Sequence, residues 1–133
     1  MQKPSEQMLE IKDHEEKGFA PLVRFGTWRV AMSNAAEDEQ VCALQRHLET
    51  DESFVMLAGA GDMLVACGEN RPQVFYRVPM EPKKIYNVRQ GTWHAHQMRA
   101  GSTLLIVEND GTGNANSDTY TLSEEEKQTL LKL

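Results

Sequence analysis

Residues 91–96 have the sequence Gly-Thr-Trp-His-Ala-His, and this stretch decides the fold and the candidate site. A glycine turn is followed by a segment that alternates like a β-strand and carries two imidazoles, His94 and His96. Because successive strand residues point to opposite faces, we expect both histidines on one face. Two neutral imidazoles on one face can bind a metal ion or a small anion. The alternative to a binding site is that one histidine is buried and satisfied by hydrogen bonds, while the other lies at the edge of the fold.

A second polar group lies earlier in the chain and comprises Arg46, His47, Glu49 and Glu52. His47 and Glu49 share a strand face, whereas Glu52 fits their phase only if a bulge or turn intervenes. Nitrogen and carboxylate ligands suit zinc, nickel, iron or manganese. Glu52 precedes the apolar-rich run 53–57, which indicates a pocket wall where a carboxylate's pKa can rise enough for acid–base catalysis. The alternative is a solvated turn.

The composition is typical of a soluble globular protein. The chain has 133 residues, 40% of them hydrophobic and 26% charged, which fits one domain. Its net charge of -6 and scattered cations argue against nucleic acid as the partner. No apolar run approaches the ~20 residues that span a bilayer, and the polar start is not a secretory signal. Cys42 and Cys67 lack metal-site spacing and are interpreted as reduced core residues, so we expect a cytoplasmic protein.

Short strand-like runs alternate with turn residues after residue 19. The runs with this pattern are 28–32, 41–47, 54–57, 63–67, 74–78, 85–88, 93–98 and 104–108. No long helical pattern separates them, which favours an all-β sandwich or barrel of about seven to nine strands. Ser123 and Glu126 form a capping box, so a short helix on the outside of the barrel is predicted from about residue 124. Residues 1–18 are polar, and we expect them to be loosely ordered.

These motifs resemble those of the cupin superfamily. Its small β-barrels carry a histidine pair with a glutamate and, after six residues, a glycine, and then a second motif in which a glycine precedes a histidine. Residues 52–59 are similar to the end of the first motif, with Glu49 at the place of the second histidine, and 91–94 to the core of the second. Within the cupins the chain resembles the ureidoglycolate lyase family. The patches that carry this resemblance are 19–21, 46–57, 87–94 and 105–114.

The resemblance implies a single-domain cupin over residues 19–133: a double-stranded β-helix, or jelly-roll barrel, that forms a homodimer. It implies a lyase of allantoin catabolism, which splits ureidoglycolate into glyoxylate and urea. Two alternatives stay open. One is a non-catalytic cupin that binds a small carboxylate or a sugar, and the other is a metal-dependent isomerase or oxygenase with another substrate.

The same reaction assigns roles to the candidate residues. A base must take the substrate hydroxyl proton and an acid must protonate the leaving nitrogen. The candidates for this catalysis are His47, His94 and Glu52, and His96 is a further candidate. A cation must hold the substrate carboxylate, and the candidates for substrate binding are Arg46, Arg89 and His96. A divalent metal would instead polarise the substrate, and its candidate ligands are His47, Glu52, His94 and His96.

Overall fold

The computed structural model describes residues 2–133, which form ten strands, one 3-10 turn and one α-helix. The strands are β1 (Gly18–Phe25), β2 (Trp28–Asn34), β3 (Ala43–His47), β4 (Glu52–Ala58), β5 (Gly61–Cys67), β6 (Val74–Pro79), β7 (Tyr86–Val88), β8 (Trp93–Met98), β9 (Thr103–Asn109) and β10 (Ser117–Thr121). The 3-10 turn spans Asn114–Asn116, and the helix α1 spans Glu124–Leu131.

The strands form two antiparallel five-stranded sheets that face each other. The spatial order is β1-β2-β9-β4-β7 in one sheet and β10-β3-β8-β5-β6 in the other. Strands far apart in sequence therefore lie side by side, as in a jelly roll, and β9 runs between β2 and β4. The predicted all-β jelly-roll architecture with a short C-terminal helix is confirmed.

Each of the eight predicted runs overlaps a strand, although 41–47 and 85–88 begin before β3 and β7 do. The predicted total was too low because β1 and β10 were not recognised. Both are edge strands, as β6 and β7 are, and their sequences explain why they were missed. In β1, Pro21 cannot donate to the ladder, and the register shifts between Pro21 and Val23. The sequence of β10 is Ser-Asp-Thr-Tyr-Thr, which lacks an aliphatic side chain.

The apolar core fills one end of the space between the sheets. Residues that point inward alternate along the strands, and the largest fully buried side chains of this core are Phe54, Met98, Leu104 and Ile106. At the other end, the same inward positions of β2, β4 and β9 carry charged side chains: Arg29, Glu52 and Glu108. The barrel therefore has an apolar floor and a polar mouth.

The helix α1 covers the outer face of the second sheet, as predicted. Ser123 accepts a hydrogen bond from the Glu126 backbone N–H at 3.1 Å, and Glu126 accepts one from the Ser123 N–H at 2.9 Å. This reciprocal capping box fixes the start of the helix. Leu130 then packs in a second apolar cluster with Leu44 and Leu64.

Residues 2–17 precede the barrel and are largely exposed. Met1 lies outside the described residues, and the loose order predicted for this segment stays a prediction. Cys42 and Cys67 are free thiols, but their assignment to the core is wrong: both are exposed, Cys42 just before β3 and Cys67 at the end of β5. Among residues 2–133, no helix has the length and apolar character needed to cross a membrane.

Candidate metal centre

His47, Glu52 and His94 meet inside the polar mouth of the barrel. His47 ends β3 and Glu52 begins β4, so the intervening turn restarts the strand phase and lets both side chains point inward. His94 lies near the start of β8, just after a turn in which Gly91 has a φ of 78°, a conformation that favours glycine. The Gly91 N–H donates to the His47 carbonyl at 2.8 Å, which ties this turn to the end of β3.

Both histidines direct Nε2 at the same carboxylate oxygen. The distance to Glu52 Oε1 is 2.8 Å from His94 Nε2 and 3.1 Å from His47 Nε2. The three residues are 6–9% exposed. Each offers one ligand atom, and these atoms all lie within 4.8 Å of one another. Such convergence of nitrogen and oxygen donors in a buried place is the geometry of a metal site.

Each histidine also makes a hydrogen bond on the far side of its ring, through Nδ1. His94 Nδ1 lies 3.0 Å from the Thr92 carbonyl oxygen, which can only accept, so Nδ1 carries the proton. A neutral His94 then turns an Nε2 lone pair toward a carboxylate oxygen, and this contact needs a proton or a cation between the two atoms. His47 Nδ1 lies 2.7 Å from the Ser117 hydroxyl, which can donate or accept and so orients the ring without fixing its tautomer. Outer partners of this kind orient metal-binding histidines.

A divalent cation fits these distances. Neighbouring ligands at right angles around an ion with bonds of about 2.1 Å lie about 3.0 Å apart, close to the two separations measured at Glu52 Oε1. The residues that could hold the ion are therefore His47, Glu52 and His94, and their donor set suits zinc, nickel, iron or manganese.

Arg29 and Glu108 adjoin this group and were missed by the sequence analysis. They are cross-strand partners on β2 and β9, with Arg29 Nη2 donating to Glu108 Oε1 at 2.7 Å. Arg29 also donates to the backbone carbonyls of Asp110 and Thr112. Glu108 Oε2 lies 4.0 Å from His47 Nε2. Arg29 therefore holds both Glu108 and the loop that closes the polar mouth.

The cluster is electrostatically coupled. Burial alone would raise the pKa of Glu52, but hydrogen bonds with His47 and His94 lower it below its usual range, so Glu52 is a carboxylate. Burial and the nearby Glu52 charge raise the pKa of Glu108 to about 7, against the opposing effect of Arg29. The hydrogen bond with Glu52 raises the pKa of His47. These shifts describe two crowded acids that a bound cation would stabilise.

The site opens into a cavity of about 460 Å³, within the ~300–1,000 Å³ range of small-molecule pockets. Its walls include the apolar side chains of Phe19, Phe54 and Ile106. Its polar lining, beyond the cluster itself, includes Gln45, Thr112, Asn114 and Thr119. The cavity can therefore bury an organic molecule and contact its polar groups.

Comparisons with known proteins rest on structure alone. No protein-family model and no curated sequence matches the chain. Streptomyces Pac13, described as a nucleoside dehydratase, superposes with a TM-score of 0.60 and 10% identity over 85% of this chain and 88% of Pac13. The capsular polysaccharide assembling protein CapF from Staphylococcus aureus gives 0.56 and 15% identity, over 84% of this chain and 33% of CapF. Oxalate decarboxylase from Bacillus subtilis gives 0.50 and 17% identity, over 72% and 24%.

The chain has the cupin fold. The identities are too low to show more than that, and the resemblance to ureidoglycolate lyase is not shown by these comparisons. Within this cupin barrel, the second motif holds His94 where the sequence analysis placed it, opposite the end of the first motif at Glu52.

The two arginines predicted to bind substrate do not reach the cupin cavity. Arg46 follows Gln45 and precedes His47 in β3, so it points to the opposite face. There its guanidinium stacks 4.4 Å from the Trp93 ring centroid and donates to Asp118 at 2.8 Å. Arg89 is exposed in the turn between β7 and β8. The arginine beside the cavity is Arg29, which the sequence analysis did not consider.

His96 and Glu49 also differ from expectation. His96 lines the cavity, but its Nδ1 lies 2.9 Å from Glu39 Oε1, and it lies outside the three-residue ligand group. Glu49 does not occupy the second place of a histidine pair, because β3 ends at His47 and Glu49 is exposed in the turn, where it accepts from Asn116. The residue that shares the cavity face with His47 is Gln45.

Proposed function

We propose that this protein is a metal-dependent cupin enzyme, a lyase that acts on a small hydroxy carboxylate. Ureidoglycolate, split into glyoxylate and urea, is the leading substrate. The observation that carries the proposal is the convergence of His47 Nε2 and His94 Nε2 on one oxygen of Glu52, beside a cavity of ligand size. A metal held there would act as a Lewis acid that polarises a substrate oxygen.

An anionic substrate would have to bind through the metal, because the arginines nearest the cavity are already paired. The Arg29 guanidinium is occupied by Glu108 and by two backbone carbonyls, and Arg46 lies on the other face of its sheet. Without a metal, the Glu52 and Glu108 carboxyls would repel a carboxylate. A 2-hydroxy acid offers a carboxylate oxygen and a hydroxyl oxygen next to each other, and Gln45 and Asn114 can hydrogen-bond the remaining polar groups.

His96 is the residue best placed to move a proton. Its Nδ1 donates to the Glu39 carboxylate, which leaves Nε2 unprotonated in the neutral ring. A carboxylate that orients a histidine in this way is a recurring arrangement for a general base. In the proposed reaction His96 takes the hydroxyl proton as the C–O bond becomes a carbonyl. The C–N bond breaks, and the same proton passes to the leaving urea nitrogen.

Activity of the reconstituted protein tests this proposal. The protein is stripped with a chelator, reloaded separately with Mn²⁺, Fe²⁺, Ni²⁺ or Zn²⁺, supplied with ureidoglycolate and assayed for glyoxylate. We expect release with at least one metal, loss of both metal and activity in His94→Ala, and loss of activity with metal retained in His96→Asn. The matched control is His14→Asn, because His14 lies outside the cavity lining. If the folded, metal-loaded protein releases no glyoxylate, ureidoglycolate is not the substrate.

A second candidate is elimination of water from a nucleoside-like compound. Two observations favour it: the cavity is large for a short hydroxy acid, and the structural match covers nearly all of Pac13, which has been solved with uridine. Calorimetric titration with uridine and with ureidoglycolate distinguishes the two. If both bind without turnover, the protein is instead a non-catalytic binding cupin.

The homodimer and the cytoplasmic location remain part of the proposal. Val74, Tyr76 and Val78 form a stripe on the edge strand β6 and are 40–54% exposed, which supports burial against a second copy. Light scattering measures the mass directly, and we expect twice the chain mass.

A further inference from the structure

Glu108 is a buried carboxyl group with one unsatisfied oxygen. The residue is 6% exposed, and its Oε1 accepts from Arg29 at 2.7 Å. Its Oε2 is buried and, within residues 2–133, has no hydrogen-bond partner. Leaving a buried acceptor unpaired costs about 1–3 kcal/mol and more for a charged group. The Glu52 carboxylate lies beside it, so Oε2 needs either a proton shared with Glu52 or a cation bound between the two acids.

The position of Glu108 directs this oxygen toward the metal centre. Ser53 pairs with Val107, so Glu52 and Glu108 are neighbours across β4 and β9 and both point inward. Glu108 Oε2 lies 4.0 Å from His47 Nε2. Two ligands on opposite sides of one ion with bonds of about 2.1 Å lie about 4.2 Å apart. A cation between these two atoms would satisfy Oε2 and separate the two acids.

The first cupin motif leaves room for such a ligand. Gln45 shares the cavity face with His47, at the place where a histidine pair would have its other member. Gln45 is exposed at the mouth and offers only a neutral amide oxygen. His47, Glu52 and His94 therefore form an incomplete set, unless the opposite sheet contributes a donor.

We propose that Glu108 Oε2 is the fourth protein ligand of the metal held by His47, Glu52 and His94. Arg29 acts as the positioning residue that holds Oε1 and aims Oε2. The resulting set has two imidazole nitrogens and two carboxylate oxygens, which shifts preference toward Mn²⁺ and Fe²⁺. This inference depends on the proposed metal site and is independent of the substrate.

Metal affinity and the spectrum of the bound ion test the assignment. Mn²⁺ affinity is measured by chelator competition, and the coordination of Co²⁺ by its visible absorption, in wild type, Glu108→Gln and Glu108→Asp. The control is Glu69→Gln, because Glu69 is exposed in the turn between β5 and β6. Circular dichroism checks that each variant is folded. Glu108→Asp keeps the charge but shortens the side chain, which moves the carboxylate oxygen away from the metal position. This variant therefore tests the assignment even if Glu108→Gln does not fold.

We expect at least a ~100-fold loss of Mn²⁺ affinity in Glu108→Gln, beyond the ~10–100-fold typical of an outer partner, with an altered Co²⁺ spectrum. Unchanged affinity, or a smaller loss with an unchanged spectrum, would overturn the assignment. A loss of Mn²⁺ affinity of about 100-fold or more in Gln45→Ala but not in Glu108→Gln would overturn the assignment and identify Gln45 as the fourth ligand. If the wild-type protein binds metal but shows no turnover, only the proposed reaction is contradicted. If it binds no metal, both the proposed function and the assignment of Glu108 as a ligand are contradicted.

Discussion

Metal binding should expel protons from the group formed by His47, Glu52 and His94. His94 Nδ1 already donates to Thr92, so its contact with Glu52 at 2.8 Å requires a second proton on Nε2 when no metal is present. The hydrogen bond with Glu52 also raises the pKa of His47, so His47 is protonated near pH 6. Since Glu52 is itself a carboxylate, His47 and His94 together release between one and two protons, and Glu108, whose pKa is raised to about 7, releases up to one more if it binds the metal.

The size of the effect follows from linkage. Each displaced proton changes the apparent metal dissociation constant about tenfold per pH unit, or about 1.4 kcal/mol. Below the raised pKa values of His47 and Glu108 the affinity should therefore rise with pH by about ten- to a thousandfold per unit. Above them, the dependence should weaken.

Calorimetric titration with Mn²⁺ measures this release. Repeating the titration near pH 6 in buffers of different ionisation enthalpy gives the number of protons from the slope of the observed enthalpy. His47→Gln should release fewer protons than wild type, and the His14→Asn control should match wild type. A release of zero protons in wild type, with metal bound, would refute the hydrogen-bonding scheme.

Three further predictions concern the outer partners, the coupled acids and the core. Ser117→Ala removes the hydroxyl beside His47 Nδ1 and should weaken Mn²⁺ binding about 10–100-fold, as measured by chelator competition. A variant that binds Mn²⁺ as tightly as wild type would show that this hydrogen bond does not contribute to metal binding. The metal-free protein should lose stability as pH rises from about 5 to 8, because the pKa of Glu108 is raised to about 7 and that of His47 is also raised, so both groups favour folding in their protonated forms. Thermal unfolding in chelator should show a falling midpoint that Glu108→Gln flattens, and a rising midpoint would contradict the assignment. Leu44→Ala should cost about 2–5 kcal/mol in urea unfolding without changing metal affinity, since Leu44 is fully buried beneath α1; a loss under about 1 kcal/mol would contradict its place in the core.

The sequence contained much of the fold because local patterns and tertiary packing agree. Apolar and polar residues alternate along the strands that form the core. The capping box at Ser123 predicts the first residue of α1 correctly. Strands β1 and β10 were missed because Pro21 interrupts β1 and β10 has no aliphatic side chain, whereas the other edge strands, β6 and β7, were recognised.

The sequence identified three residues that converge at the site but not those that support them. Glu52 is out of phase with His47 along one strand, and the turn between β3 and β4 removes that conflict. Strand alternation alone would have excluded Arg46 from the site, because it is adjacent to His47 in the sequence and must face the opposite side of the sheet. Glu108 carried a signal too, because it continues the inward series of Leu104 and Ile106. Its pairing with Arg29 depends on strands that are distant in sequence, which no local pattern reveals.

The most direct measurement is anomalous diffraction from crystals of the protein grown with Mn²⁺. We predict one anomalous peak per chain, bonded to His47 Nε2, His94 Nε2 and Glu52 at about 2.1–2.3 Å. An empty centre in which the three side chains hydrogen-bond to one another, or a peak elsewhere on the protein, would contradict the metal site on which the account depends.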